Sequence, residues 1–464
     1  MRKPYLPIVI VLFVSLVVRL YFFFSYHDMW WDAAVYIGMG KYMLTLGHLG
    51  LWEPIRPVFW PLILGLLWST RLNVVVLGNL VQLLMSIGII YLVYAIAANA
   101  FDRRTAVLAA AIFSFGSIFF ILGYHLYTEI PATFFLLLAL FFLFRQSFFT
   151  SGLFFAFSVL TKFTMMVFIV PIIIFLFFNP RFRSFMFFGL GALVPLVPAL
   201  AVNLWFYSSP FFPFLEANRV INQVLGCNVL SFKPWYFYLR MMISESALYV
   251  LLPIGFLISL RRRKREDLLI CVSLVLPLVY LSTLHCRDYR YLLAFLPFAS
   301  MLVGLALAFM LARLPERFFL LLVIMIAITG FVSAFSFYRL NEPSSEPAVA
   351  RDFYRFLENR TAEHEIWVSN PIVALYADKK VNLVYYPVFD SNLIFSFNQY
   401  IRHHLANVSY VFLDSCGGGI ICPPKDTACL SESDDLVRFL YNNSRLVYYS
   451  SSAGCADYVF FNQA

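Results

Sequence analysis

The sequence predicts an α-helical polytopic membrane protein with a C-terminal soluble α/β domain. Three observations carry that reading. The 464 residues are 62% hydrophobic and only 13% charged, with a mean hydropathy of +0.80, against about 45–50% apolar and about 25% charged in an ordinary soluble protein. So few charges cannot cover a soluble core of this size, and the same figures exclude disorder, collagen and coiled coil. The apolar residues fall in runs long enough for the ~30 Å hydrocarbon core of a bilayer. After Tyr338 the composition changes, and charges with short alternating segments replace the apolar runs.

The first run covers 6–24, behind Arg2-Lys3. It is long and no small-x-small site follows it, which favours a retained span over a cleaved signal. Residues 57–70 form a short segment with Pro57 and Pro61, read as a helix lying at the membrane surface. Further runs cover 73–99, 106–123, 130–145, 152–162, 164–178, 185–207, 242–260, 267–284, 291–312 and 318–337. Together they predict about 11 transmembrane helices, with 152–162 too short to cross straight. If odd spans run outward, six short ends gather Arg2-Lys3, Arg103-Arg104, Arg145, Arg181 with Arg183, the basic run 261–265, and Arg313 with Arg317 on the cytoplasmic side. This is the positive-inside pattern. The run 261–265 is therefore read as a topology anchor, with nucleic-acid or anionic-lipid binding as the alternative, and the net charge of +9 is read as mostly topology with no nucleic-acid partner.

The expected domains are 1–340, membrane-embedded, and 341–464, soluble. In the tail, strand-like segments lie at 365–369, 381–387, 408–414, 445–449 and 458–462. Helix-like segments lie at 348–359, 393–406 and 434–442. Their alternation predicts a small α/β domain, and eleven spans place it outside the cytoplasm. Two features agree. The three Asn-x-Ser/Thr sequons, at Asn359, Asn407 and Asn442, all lie in the tail, as do Cys416, Cys422, Cys429 and Cys455, four of the seven cysteines. Disulfides persist outside a cell; four cysteines allow three pairings. A zinc site is the rival, against which the spacing lacks C-x2-C.

Ionisable residues at membrane depth mark function, and they concentrate in the predicted outer loops. Asp32 follows Trp30-Trp31, and Tyr36 shares its helical face at i+4; the tryptophans suit an interfacial belt and Asp32 suits a helix N-cap. Glu129 opens a span, with Pro131 in its first turn; stabilisation by the helix dipole is the bland reading. His125 stands one turn before Glu129, two ligands being too few for a metal site. Arg56, Lys162, Arg287 and Arg290 are cations at one membrane face, a set suited to a phosphate or pyrophosphate, with snorkelling as the alternative for each. The loop 208–240 is rich in aromatics and proline, fit either to cover a lipid or to rest on the interface.

These residues resemble motifs of the GT-C class of membrane glycosyltransferases, in the branch of protein O-mannosyltransferases and lipid A aminoarabinose transferases. The motifs are Trp31-Asp32-Ala-Ala-Val-Tyr36, Arg56-Pro57-Val-Phe-Trp-Pro61, Tyr127-Thr-Glu129-Ile-Pro131, Gly152 through Leu160-Thr-Lys162, and Arg287-Asp-Tyr-Arg290-Tyr291 through Pro297. They run in order over roughly 6–310. One position departs: Ala33 stands where the family often has Glu, which suggests another acceptor or another carboxylate, Glu129 or Asp28, in that role.

The resemblance implies a GT-C fold and transfer of a monosaccharide from a polyprenyl (dolichyl) phosphate to an acceptor hydroxyl on the outer face, with inversion. Asp32 matches the family's general base. Arg56, Lys162 and Arg290, with Arg287, would stabilise the leaving phosphate; Tyr36, Tyr291 and His125 support. No nucleotide-binding loop appears, and no cofactor is specified, metal dependence being open to a divalent ion. The implied partners are the lipid-linked donor, a protein, lipid or glycan acceptor, and membrane lipid. The location is the cell membrane, or the endoplasmic reticulum in a eukaryote. The rival is a transporter or lipid flippase, although no second half matches the first; an inactive scaffold is a third reading.

Overall fold

A computed structural model describes residues 6–23, 31–178, 182–220, 233–284, 287–313, 315–340, 352–358, 360, 362–383, 391–414, 427–452 and 455–462. Arg2-Lys3, Asp28, Trp30, Arg181, Asn359, Cys416 and Cys422 lie outside the described residues. The chain divides into two compact units. One comprises Met1–His27, Val75–Phe212 and Pro234–Glu342; the other comprises Asp28–Val74, Pro213–Lys233 and Pro343–Ala464.

The first unit is helical, and the expected apolar runs fall on helical segments. Among the described residues, four helices are long and apolar enough to cross a membrane by length and composition: Leu6–Phe23, Val74–Ala100, Phe182–Tyr207 and Arg265–Thr283. Glu129–Phe144, Phe148–Thr161 and Leu296–Met310 are apolar but shorter. The Phe148–Thr161 helix packs closely on Phe182–Tyr207. A Cβ on Gly152 would lie 1.9 Å from the Phe188 carbonyl oxygen, and one on Gly191 1.9 Å from that of Phe149, so only small residues permit this approach.

Several runs read from the sequence as continuous are broken. The 106–123 run divides into Arg103–Ser114 and Ser117–Leu122 at an extended Gly116 (φ −60°, ψ 131°). The 242–260 run divides at an extended Ser246 (φ −160°, ψ 132°), between Phe237–Glu245 and a 3-10 turn that leads into Leu252–Arg262. The 291–312 run begins as a 3-10 turn, Tyr289–Ala294, before Leu296–Met310. Each break exposes backbone groups that apolar surroundings cannot satisfy. The first two breaks satisfy each other: the Glu245 carboxylate accepts from the Ser117 hydroxyl at 3.1 Å and from the Ile118 N–H at 3.2 Å.

The second unit is built on a five-stranded sheet of β1 (Glu365–Val368), β2 (Val381–Leu383), β3 (Val408–Asp414), β4 (Arg445–Ser452) and β5 (Cys455–Phe461), in the order β2-β1-β3-β5-β4. β2-β1-β3 are parallel and β3-β5-β4 antiparallel. The period of two sorts the side chains. Ile366, Val368, Tyr410 and Phe412 join one apolar cluster, while Trp367, Val411 and Leu413 join the other. The second face is covered by Ser391–His404 and Thr427–Asn443 through Ile401, Leu436 and Leu440. The first is covered in part by Ala34, Val35 and Met39 of the Trp31–Leu44 helix. A sheet covered on both faces needs apolar residues throughout, and every residue of β3 is buried.

The tail helices differ from expectation at their ends. The helix at 434–442 extends to Thr427–Asn443, its first turn burying Cys429, and of the expected helix 348–359 the described residues 352–354 are helical and 355–358 form turns, 348–351 and 359 lying outside the described residues. Cys429 is disulfide-bonded.

Candidate active site

The expected site residues form two clusters, one in each unit. In the sheet-containing unit, Asp32 lies in the first turn of Trp31–Leu44 and Tyr36 one turn later. Arg56 lies in the turn ahead of the Phe59–Ser69 helix. Its guanidinium is fully engaged: Nη2 stands 2.8 Å from Asp32 Oδ1, Nε donates to Glu53 Oε2 at 3.0 Å, and Nη1 donates to the Tyr36 hydroxyl at 3.4 Å. A planar fork holding two carboxylates and a phenol is arginine geometry that lysine cannot copy. The Asp32 carboxylate also stands at a helix N-terminus, where the dipole favours an anion. Glu53 Oε1 is buried and takes no hydrogen bond among the described residues.

The Asp32 helix is held from its other end. Lys41 is buried, and its ammonium donates to the carbonyls of Ala374 (3.1 Å) and Leu375 (2.8 Å), and at 3.5 Å to Ala377. These carbonyls close the one-turn helix Val373–Tyr376 and would otherwise be unpaired. Burial lowers the Lys41 pKa, against the pull of Asp378 at 3.8 Å. Gly40 meets Gly65 so closely that a Cβ there would lie 2.6 Å from the Gly65 nitrogen, which locks Trp31–Leu44 onto Phe59–Ser69.

In the helical unit, Glu129 is the first residue of Glu129–Phe144, and Lys162 follows the end of Phe148–Thr161 in extended conformation. Lys162 Nζ donates to Glu129 Oε1 at 2.5 Å and sits 4.6 Å from the centre of the Tyr291 ring. Glu129 Oε2 is buried without a hydrogen bond among the described residues. Arg290 donates through Nε to Asp288 Oδ2 at 3.0 Å and lies 4.8 Å over the Tyr127 ring. Asp288 also caps the Tyr289–Ala294 turn, accepting the Arg290 N–H at 2.9 Å. Arg287 donates to the Ser282 carbonyl at 2.8 Å. Thus Glu129, Lys162 and Tyr291 come together, as do Arg290 and Tyr127.

His125 stacks on Tyr127 with ring centres 5.5 Å apart, and its Nδ1 lies 2.7 Å from the Ile121 carbonyl. Burial chiefly, with the Arg290 charge adding to it, pushes its pKa down to about 4. A neutral imidazole is a wall of this cluster rather than a proton carrier near pH 7. Among the described residues no group of three or more His, Cys, Asp or Glu side chains is placed to hold a metal ion.

Sequence reasoning missed three contributors. Glu53 shares Arg56; its signal was the i,i+3 spacing to Arg56. Asp288 orients Arg290. Gln82 fixes the loop before Glu129, donating to the Tyr127 carbonyl at 2.6 Å and accepting the Leu126 N–H at 3.1 Å. A glutamine inside an apolar run was the visible sign.

Residues 56–205 match the family model of dolichyl-phosphate-mannose-protein mannosyltransferase. No curated protein sequence matches the chain. Among solved structures the chain is similar to ArnT from Cupriavidus metallidurans bound to undecaprenyl phosphate, at 13% identity and a TM-score of 0.67, covering 98% of each chain. The chain has the GT-C glycosyltransferase fold. The same GT-C fold relates it to the oligosaccharyltransferase of Archaeoglobus fulgidus in the apo form, at 14% identity and a TM-score of 0.60, covering 98% of this chain and 74% of that one. It is also similar to the arabinofuranosyltransferase AftD from Mycobacteria, at 13% identity and a TM-score of 0.50, covering 99% of this chain and 42% of that one. The family match begins at Arg56 and contains Glu129 and Lys162. Ala33 lies outside the matched residues and is buried in the sheet-containing unit.

Proposed function

We propose that this GT-C protein is a glycosyltransferase. It moves a monosaccharide from a polyprenyl phosphate to an acceptor hydroxyl. The observation that carries the reading is Asp32, held by Arg56 at a helix N-terminus with its side chain partly exposed. In the reaction, the acceptor oxygen attacks the sugar's anomeric carbon from the face opposite the phosphate. Asp32 takes the hydroxyl proton, the carbon–oxygen bond to the phosphate breaks, and the phosphate leaves with the electron pair. One carboxylate suffices for an inverting transfer. Lys162 and Arg290, with Arg287, supply positive charge to the departing phosphate. Arg56 serves the phosphate while it orients Asp32. Undecaprenyl phosphate on the ArnT structure supports a lipid-linked donor, and the mannosyltransferase family match supports a sugar.

The protein works in the cell membrane or the endoplasmic reticulum, with its N-terminus cytoplasmic and residues 341–464 outside; the positive-inside arrangement supports that orientation. Protease added outside should remove the tail, and protection of the tail would reverse the orientation. The test of function is reconstitution of the full chain with a radiolabelled polyprenyl-phosphate sugar and host acceptors. Label should pass to the acceptor in wild type and not in Asp32→Asn. Label that crosses the bilayer still on its lipid, without transfer, would make the protein a flippase.

A further inference from the structure

The five-residue basic run 261–265 does not act as one patch. Arg262 turns inward, with Nε 3.0 Å from Asp267 Oδ2 and Nη2 donating to the Ala100 carbonyl at 2.9 Å. Arg265 pairs with Glu266 at 2.8 Å and lies over the Phe175 ring. Both acidic residues of the first turn of Arg265–Thr283 are thereby matched with a cation. Arg263 and Lys264 form no ion pair among the described residues and are exposed. Arg263 takes the left-handed conformation (φ 54°), a costly choice for a residue with a Cβ. That turn places Arg263, Lys264 and Arg265 together around one cavity of about 170 Å³. The rest of its wall includes Phe178, Leu260 and Leu268. Phe178 and Leu260 are exposed, at 57% and 46%.

We propose that this cavity binds the phosphate of an anionic phospholipid. Its volume far exceeds the ~15 Å³ needed to hold one water. Two cations with free donors, backed by the N-terminus of a 19-residue helix, match a phosphate diester. The exposed Phe178 and Leu260 beside them match acyl chains, which a free phosphate ion lacks. The site lies where the Ile169–Phe177 and Leu252–Arg262 helices end and Arg265–Thr283 begins, and basic pockets between membrane helices are suited to lipid headgroups. The run 261–265 thus combines topology, in its charge, with recognition, in Arg263 and Lys264, the two exposed cations that line the cavity.

The test is native mass spectrometry of the delipidated full chain in detergent, titrated with phosphatidylglycerol, with phosphatidylcholine and with inorganic phosphate. Wild type should take up one phosphatidylglycerol ahead of phosphatidylcholine. The double variant Arg263→Gln/Lys264→Gln should weaken that binding roughly ten- to thirtyfold. Equal loss in Arg145→Gln/Arg183→Gln, which removes the same charge elsewhere, would reduce the effect to net charge and overturn the site. So would equal binding of the two lipids, or an unaffected double variant. Competition by millimolar inorganic phosphate, as strong as that by short-chain phosphatidylglycerol, would overturn the lipid assignment. If the double variant does not fold, Lys264→Gln alone should weaken binding about fivefold, and unchanged binding there overturns the proposal.

Discussion

Arg56 in one unit and Lys162 in the other each hold a carboxylate, but under different conditions. Arg56 and Asp32 are 22% and 15% exposed, and Arg56 also holds Glu53. Lys162 and Glu129 are 14% and 3% exposed. A partly exposed ion pair is worth ~1 kcal/mol or less, so Asp32 can turn to a substrate at little cost while Arg56 stays on the buried Glu53. Removing one partner of a buried pair strands a charge, at ~3–5 kcal/mol. The first arrangement suits a group that must change partners during a reaction. The second suits a charge that must stay in place.

The largest effect that tests this contrast is on activity. Asp32→Asn should lower kcat by ~10²–10⁴-fold, the usual contribution of a positioned base, and leave the melting temperature almost unchanged. Radiolabel transfer and a thermal melt on the same preparation measure both. A melt that drops as far as that of a buried-pair variant would erase the distinction between the clusters.

Next comes Lys162→Met, expected to cost ~3–5 kcal/mol of stability because Glu129 is left buried and uncompensated. The double variant Lys162→Met/Glu129→Gln should recover part of that loss, since the two sites are coupled. Additive losses in a denaturation series would mean that the pair is no more than a surface contact.

Lys41→Met asks whether the open cluster depends on an anchor elsewhere in its unit. Three carbonyls lose a charged donor, a loss of ~1.5–3 kcal/mol. The Asp32 helix is then free to shift, so kcat should fall while the donor KM holds. Steady-state kinetics on donor and acceptor separate the two. A raised donor KM at constant kcat would show that Lys41 serves binding and not the placement of Asp32.

How much of this was legible beforehand varied by residue. The apolar runs and the start of Glu129–Phe144 were plain, because hydrophobic length and Pro131 report local physics. Strands β1 and β3 were readable from short apolar segments. The place of Trp31–Leu44 was not. Residues Ala33 through Lys41 are all buried, so the helix has no polar stripe from which to infer its neighbours. The breaks at Gly116 and Ser246 were hidden for a related reason: they are stabilised by Glu245, which in sequence is one more acid near the end of a helix. Asp32 and Arg56 stood out in sequence as an outer-loop carboxylate and cation and again by motif likeness, but Glu53 became visible only when the turn before Phe59–Ser69 brought it to the guanidinium. Contacts among residues distant in sequence leave little trace in the order of the chain.

A third carboxylate site extends the comparison, because there one carboxylate faces another. Asp414 and Asp457 are register partners across β3 and β5, both buried. The Tyr354 hydroxyl and Asn370 amide donate to Asp414 Oδ2 at 2.7 Å and 2.8 Å. Burial first, and the neighbouring Asp414 second, raise the Asp457 pKa above the ordinary carboxylate value. The folded state therefore binds a proton that the unfolded state releases near pH 4. The stabilisation is complete below about pH 4 and is lost as pH rises through the raised folded value, with a slope opposite to that of a cation-paired carboxylate. Protection of β3 amides from hydrogen exchange, corrected for intrinsic rates, should fall by roughly 1–2 kcal/mol over that rise, one pKa unit being ~1.4 kcal/mol. Asp457→Asn, which keeps the shape and needs no proton, should flatten the profile. A wild-type profile that is already flat would mean that Tyr354 and Asn370 neutralise the pair unaided. A carboxylate beside a carboxylate would then be tolerated here as readily as one beside Arg56.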